Sequence, residues 1–201
     1  MRSPRGNLRT VALLVAALAA IATAFLQRPE PADVRAKSSP LQRLLGPIAS
    51  AAASVEWARF ARTLDRGDAP RAYGHAARAL TFDGRSAAGW MTLGDHFIFT
   101  RASPLEVDDA AQRRRWIRAG LDVLLAGEER VAAAEELAYY AALIRVQFLA
   151  QIPDEALAWP GGSDALLEDA REDLSRAEAG GHPGVADLRT RIEERRGAEE
   201  R

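Results

Sequence analysis

Apolar residues recur at steps of three and four along most of the chain from Leu41 onward. Such spacing places them on one face of an α-helix, whereas a half-buried strand would alternate apolar and polar residues. No stretch beyond Leu41 shows strict alternation. The pattern therefore predicts an all-α fold in which about seven helices are joined by short turns.

Local capping and turn residues set the predicted helix boundaries. Helices are expected to start at or near Pro47, Asp68, Ser86, Asp109, Val131, Ser163 and Pro183. Asp109 and Gln112 have the spacing of a capping box. Glycine is expected to end the first helix at Gly67, the second at Gly84 and the fourth at Gly127. The fifth helix is expected to be long and to reach Ile152.

The N-terminal segment, residues 1–28, places arginines before an uncharged apolar run from Val11 to Leu26. These residues span roughly 24 Å as a helix, slightly less than a hydrocarbon core of ~30 Å. Extension to residue 8 makes a span possible because Arg9 can snorkel. Positive charge before the run places the N-terminus in the cytoplasm. We expect a single-pass anchor at residues 8–26, with the helical domain in the periplasm.

A cleaved signal peptide is the alternative for the same segment. Ala22-Thr23-Ala24 is a small-x-small site behind a suitable apolar core, and cleavage after Ala24 would give a secreted or periplasmic protein. Prolines and mixed charge then mark a linker at residues 29–40. The helical domain is expected at residues 41–196, and residues 197–201 are expected to fray.

Charge and composition exclude several classes of protein. The chain has 27 basic and 28 acidic side chains, whereas nucleic-acid binding favours a clearly basic surface. It has no cysteine, which excludes disulfides, thiolate metal sites and cysteine nucleophiles. Lys37 is the only lysine beside many arginines, as is typical of a GC-rich bacterial genome. We therefore expect a bacterial protein whose partners are proteins and not nucleic acid.

Two stretches resemble helical repeats. The chain resembles the tetratricopeptide repeat at eight positions, Trp57, Ala72, Ala76, Ala79, Trp90, Leu93, Gly94 and Phe97. Trp57 and Trp90 are 33 residues apart, close to the 34-residue period of that family. Residues 177–188 resemble, more weakly, the junction of a Sel1-type or late tetratricopeptide repeat. The resemblance implies stacked antiparallel helix hairpins that bind peptides or protein surfaces, as in many scaffold subunits.

Residues capable of catalysis are few. The histidines are His75, His96 and His182; we expect the first two to face solvent or a groove, and the third to lie at a helix entry. The carboxylates at turns are expected to cap helices or shape turns: Asp65, Asp68, Asp83, Asp108 and Asp109. No phosphate loop, nucleophile elbow or zinc-protease motif is present in the sequence. We therefore assign no catalytic, cofactor or metal residue, and an enzyme using His75 and His96 is a remote alternative.

Arginines supply the candidate partner-binding residues, which are Arg59, Arg62, Arg113, Arg114, Arg115 and Arg118. The cluster around Trp116 has two interpretations. It is either a solvated helix face with Trp116 turned to the core, or a site for an acidic peptide or lipid headgroups. The sequence thus predicts a membrane-anchored, non-catalytic interaction subunit of a bacterial membrane or envelope complex. The alternative is a signal-cleaved periplasmic adaptor for a soluble partner or peptide.

Overall fold

The computed structural model describes residues 46–152 and 159–199, and within them it contains seven α-helices and no strand. The helices are α1 (Pro47–Asp65), α2 (Ala69–Phe82), α3 (Ala87–Asp95), α4 (Ala110–Glu128), α5 (Ala134–Gln147), α6 (Gly162–Ala179) and α7 (Val185–Glu199). The all-α prediction is confirmed for these residues. The predicted anchor and linker lie outside them.

The chain divides after Asp83 into two units, each with its own packing. In the first unit, α1 and α2 form a hairpin. Its turn contains Gly67 with a φ of +76°, and the Asp68 carboxylate accepts a hydrogen bond from the amide of Arg71. The hairpin core is made largely of alanine, with Phe60 as its large buried side chain, because small residues let the two backbones approach closely.

In the second unit, helices that follow one another in sequence pack together: α3 on α4, α4 on α5, α5 on α6, and α6 on α7. The helix α3 continues without a break into a π-helical segment, His96–Arg101, in which the amide of Ala102 donates to the carbonyl of Phe97. The indole of Trp90 donates a hydrogen bond of 2.8 Å to the Gly84 carbonyl and thereby ties α3 to its own entry turn.

Close backbone approach joins α4 to its neighbours. A Cβ atom at Gly120 would lie 2.4 Å from Cγ1 of Ile98 and 2.8 Å from the carbonyl oxygen of Gly94. A Cβ atom at Gly127 would lie 2.7 Å from the ring of Trp90. The prediction that Gly127 ends the fourth helix was therefore wrong. It lies one residue inside α4, where the side chain of Trp90 leaves no room for a larger residue.

Packing of α5, α6 and α7 buries a second-unit core of alanine, leucine, valine and isoleucine that includes Leu174, Leu188 and Ile192. The fifth helix is shorter than predicted, because it begins at Ala134 and gives way after Gln147 to a 3-10 turn, Leu149–Gln151. The sixth begins at Gly162 behind Gly161, whose φ is +90°, so Ser163 is not its cap. Of the helices within residues 46–152 and 159–199, none has the length and apolar character to cross a membrane.

Candidate functional site

The six candidate arginines fall into two groups. Arg59 and Arg62 are exposed on α1, in the first unit. Arg113, Arg114, Arg115 and Arg118 lie in the first half of α4, in the second unit. Each group is therefore described with its own surroundings.

The α1 arginines border a buried polar cluster that the sequence analysis did not anticipate. Glu56 is only 5% exposed, and its carboxylate accepts hydrogen bonds from Arg59 and from Nε of Arg78, the latter at 2.9 Å. The Nδ1 atom of His75 lies 2.7 Å from the same carboxylate. The His75 hydrogen bond and the two arginines lower the pKa of Glu56 to about 2, against the opposing effect of desolvation. Arg62 instead donates to the Ala58 carbonyl at 3.1 Å.

His75 is buried in this cluster, so the expectation that it faces solvent or a groove was wrong. Its Nδ1 atom also lies 2.8 Å from Nη2 of Arg78. A guanidinium only donates and a carboxylate only accepts, so Nδ1 can bond one of these two partners at a time. The buried Glu56 carboxylate explains why a histidine is held on the core face of α2. The arrangement joins α1 to α2 and leaves His75 little access to a substrate.

On α4, Arg113 differs from the other three arginines. Its Nη1 atom donates to the carbonyls of Val107 at 3.2 Å and Asp108 at 2.8 Å. This side chain therefore holds the loop that precedes α4. Arg114 is half-buried, whereas Arg115 and Arg118 are exposed.

Trp116 lies on another side of α4, where it is half-buried and contacts an aromatic ring, and it is not fully turned into the core. Its ring centre is 5.4 Å from that of Phe97, and the guanidinium carbon of Arg101 lies 5.0 Å from it. Both neighbours belong to the π-helical segment. These contacts thus pack the π-helical segment against α4.

Trp159 lies between two arginines of different helices. The guanidinium carbon of Arg118 is 6.0 Å from its ring centre and that of Arg145 is 5.9 Å away, within reach of a cation–π interaction. The indole nitrogen donates to Oδ2 of Asp169 at 2.9 Å. Trp159 is therefore held by α6, and its ring lies within cation–π distance of Arg118.

A buried ion cluster links α4, α5 and α6. Asp173 is 3% exposed and contacts Arg145 and Arg176, and Arg176 also donates to Glu128 at 2.9 Å. Desolvation raises the pKa of Asp173 to about 6, although the two arginines act in the opposite direction. A second contact joins α5 to α3, in which the hydroxyl of Tyr140 donates to Asp95 at 2.7 Å.

The remaining histidines and turn carboxylates have structural contacts. His182 stacks on Tyr139 with ring centres 3.9 Å apart, and its Nδ1 accepts from the amide of Gly184. Desolvation and the charge of Arg101 lower the pKa of the half-buried His96. Asp109 caps α4 by accepting from the Ala111 amide at 2.9 Å. Within the residues that the structure describes, no three His, Asp or Glu side chains are grouped to hold a metal ion.

Comparison with known proteins gives no relative for this chain, since no family model, curated protein or solved structure matches it. The candidate site consequently rests on its own geometry. That geometry separates Arg59 and Arg113, which bond to groups of their own fold, from Arg114, Arg115 and Arg118, which form no ion pair with a described residue.

Proposed function

We propose that the chain is a non-catalytic protein-interaction module built from tetratricopeptide-like hairpins, an accessory or scaffold subunit of a bacterial membrane or envelope complex. The succession of packing partners in the second unit supports this proposal. Each helix from α3 to α7 packs on the next one in sequence, as in a stacked array of helix hairpins. Such arrays expose long surfaces that suit the binding of other proteins.

The burial of residues that carry the repeat resemblance supports this proposal. Ala72, Ala76 and Ala79 are fully buried in the α1–α2 hairpin. Trp90 is 8% exposed and packs against Gly127 of α4. Gly94 faces Leu124, whose Cδ2 would lie 3.1 Å from an added Cβ atom. Large side chains therefore pack against small ones at these contacts, which supports the proposed repeat architecture.

The contacts of the chemistry-bearing residues favour binding over catalysis. His75 is engaged with Glu56 inside the first hairpin, and His182 is stacked on Tyr139. An acid–base catalyst must reach a substrate proton. Both side chains are instead used to hold the fold.

The proposed location follows from the N-terminal residues. Residues 8–26 would anchor the chain in the inner membrane, with its N-terminus in the cytoplasm and its helices in the periplasm, and confinement to the membrane would raise its effective concentration near membrane partners. The alternative remains a periplasmic adaptor released by cleavage after Ala24. The two differ in the mass of the mature chain.

Intact mass and membrane extraction test this proposal in the bacterial host. The anchored form should keep residues 1–28, should require detergent for extraction, and should copurify with a stoichiometric set of membrane proteins. An Ala24→Leu variant is the matched control, because it blocks cleavage but leaves an uncleaved anchor unchanged. The periplasmic adaptor would be supported over the membrane anchor by one result: the wild-type chain starts at Phe25, and the Ala24→Leu chain keeps its N-terminus.

A further inference from the structure

Three arginines on α4 form a basic surface, which we name the arginine row: Arg114, Arg115 and Arg118. They lie within roughly 100° of the helix circumference, because successive residues are ~100° apart. Among the described residues, no acidic side chain forms an ion pair with any of them. Other arginines of the same unit are paired with carboxylates, as Arg145 is with Asp173 and Arg189 with Glu178.

The arginine row lowers the stability of α4 considered as an isolated helix. Arg114 and Arg118 are four residues apart, where like charges repel. The row also occupies the N-terminal half of α4, and basic side chains near the positive end of a helix dipole are unfavourable. The Asp109 carboxylate caps the same end of α4, and exposed Asp122 lies four residues after Arg118, but neither forms an ion pair with the row. An external anionic partner would relieve both effects.

One member of the row is already oriented for binding. The guanidinium carbon of Arg118 lies over the ring of Trp159, 6.0 Å from its centre, and Trp159 is itself held by its hydrogen bond to Asp169. A guanidinium in cation–π contact with an aromatic ring keeps its N–H donors available for a carboxylate. Arg118 therefore loses less side-chain freedom on binding than an unsupported arginine.

An exposed apolar residue continues the same side of the helix. Leu125 is 51% exposed and lies seven residues after Arg118. Seven residues correspond to a rotation within roughly 20° of two full turns and to ~10 Å along the axis. The surface thus offers guanidinium donors at one end and an apolar contact about two turns away.

We propose that the arginine row and Leu125 bind an acidic amphipathic segment of a partner protein, in which carboxylates oppose the row and an apolar side chain meets Leu125. This inference rests on the proposed interaction function and names its partner chemistry. A flat anionic surface fits less well, because exposed carboxylates of Asp108 and Asp109 lie at the same end of α4. A peptide segment can instead place neutral or basic side chains opposite these carboxylates and opposite exposed Asp122, which lies four residues after Arg118.

Calorimetric titration with a designed helical peptide tests the proposal. The probe has Glu residues four apart and a Leu seven residues further on, and a second peptide replaces each Glu by Gln. Full-length wild type is compared with an Arg114→Gln, Arg115→Gln, Arg118→Gln variant. The control variant, Arg66→Gln, Arg71→Gln, Arg191→Gln, removes the same charge from other exposed arginines.

We expect the row variant to bind the Glu peptide at least tenfold more weakly than wild type at low salt, and the control variant to change affinity less than twofold. Equal losses of affinity in both variants would show that binding depends on overall charge and not on the arginine row, and would overturn the proposal. Row-dependent binding to phosphatidylglycerol vesicles without binding to the peptide would assign the surface to lipid instead.

Two further readouts separate this inference from folding and from the proposed function. Because Arg114 and Arg118 repel each other, Arg114→Gln alone should leave the thermal midpoint unchanged or higher, and a lower midpoint would contradict the argument. This single variant keeps the contact between Arg118 and Trp159. In cells, copurified membrane proteins should be lost from the row variant. If they are retained, the inference fails while the proposed function stands; if wild type copurifies with none, the proposed function fails even when the peptide binds.

Discussion

Replacing Gly120 by alanine tests the closest helix contact of the second unit. The added Cβ atom would lie 2.4 Å from Cγ1 of Ile98 and 2.8 Å from the carbonyl oxygen of Gly94. The oxygen belongs to the backbone of α3, so α3 and α4 must move apart. Overpacking of this kind costs ~1–3 kcal/mol, and the higher helix propensity of alanine returns about 0.5–1 kcal/mol. We expect a net loss of about 1–2 kcal/mol.

Urea denaturation followed by circular dichroism measures this loss, and a second glycine supplies the control. Gly74 in α2 has only Nη1 of Arg78 near its added Cβ atom, at 3.7 Å. Gly74→Ala should therefore stabilise the protein by about 0.5–1 kcal/mol, the opposite sign for the same chemical change. Gly120→Ala behaving like Gly74→Ala would refute the close approach of α3 and α4.

A double-mutant cycle identifies the contact responsible. Ile98→Ala removes the atom nearest to the added methyl group, although by itself it costs about 2–5 kcal/mol because Ile98 is fully buried. In the Gly120→Ala background the cost of Ile98→Ala should be smaller by about 1 kcal/mol or more. If the stability losses of the two substitutions are strictly additive, the added methyl group is not strained against Ile98.

Three further predictions concern polar contacts. Because its folded pKa is lowered from 4.5 to about 2, Glu56 should stabilise the fold above pH 4.5 and lose that effect as the pH falls toward 2; acid denaturation should show this pH dependence in wild type and not in Glu56→Gln. Asp173 has a pKa raised from 3.8 to about 6, so its stabilising effect is present below pH 3.8 and is lost as the pH rises through 6; the stability of wild type relative to Asp173→Asn should fall over that range, and a rise would contradict the burial argument. Tyr140→Phe removes the hydrogen bond to Asp95 and should cost about 1–2 kcal/mol in urea denaturation, whereas an unchanged midpoint would exclude that bond as a link between α3 and α5.

Helix boundaries could be predicted where the signal is local. Asp68 and Asp109 cap the helices that the sequence assigned to them, and Gly67 follows the end of α1. These residues act on their own turns, so a short window of sequence contains the information. Gly127 was misjudged because its role depends on Trp90, which lies 37 positions away.

The buried polar cluster around Glu56 and the contacts of Trp159 were not predicted from the sequence, although the first has a sequence signal. Glu56 lies on the same face of α1 as the buried residues Ala49, Ala53 and Phe60, at steps of three and four. A carboxylate on an apolar face indicates a buried partner, and His75 occupies the corresponding position on α2. For Trp159 no such signal exists, because Arg118 and Asp169 come to it from two helices.

Binding of a partner to α4 should change the fluorescence emission of Trp159. The indole of Trp159 has guanidinium groups on its flank and a carboxylate at its nitrogen, and the emission energy of an indole responds to such nearby charges. Neutralising Arg118 with an incoming carboxylate would change the field across that ring. Trp159 is therefore a built-in, label-free reporter of binding, and substitution of Trp57, Trp90 and Trp116 by phenylalanine would isolate its signal.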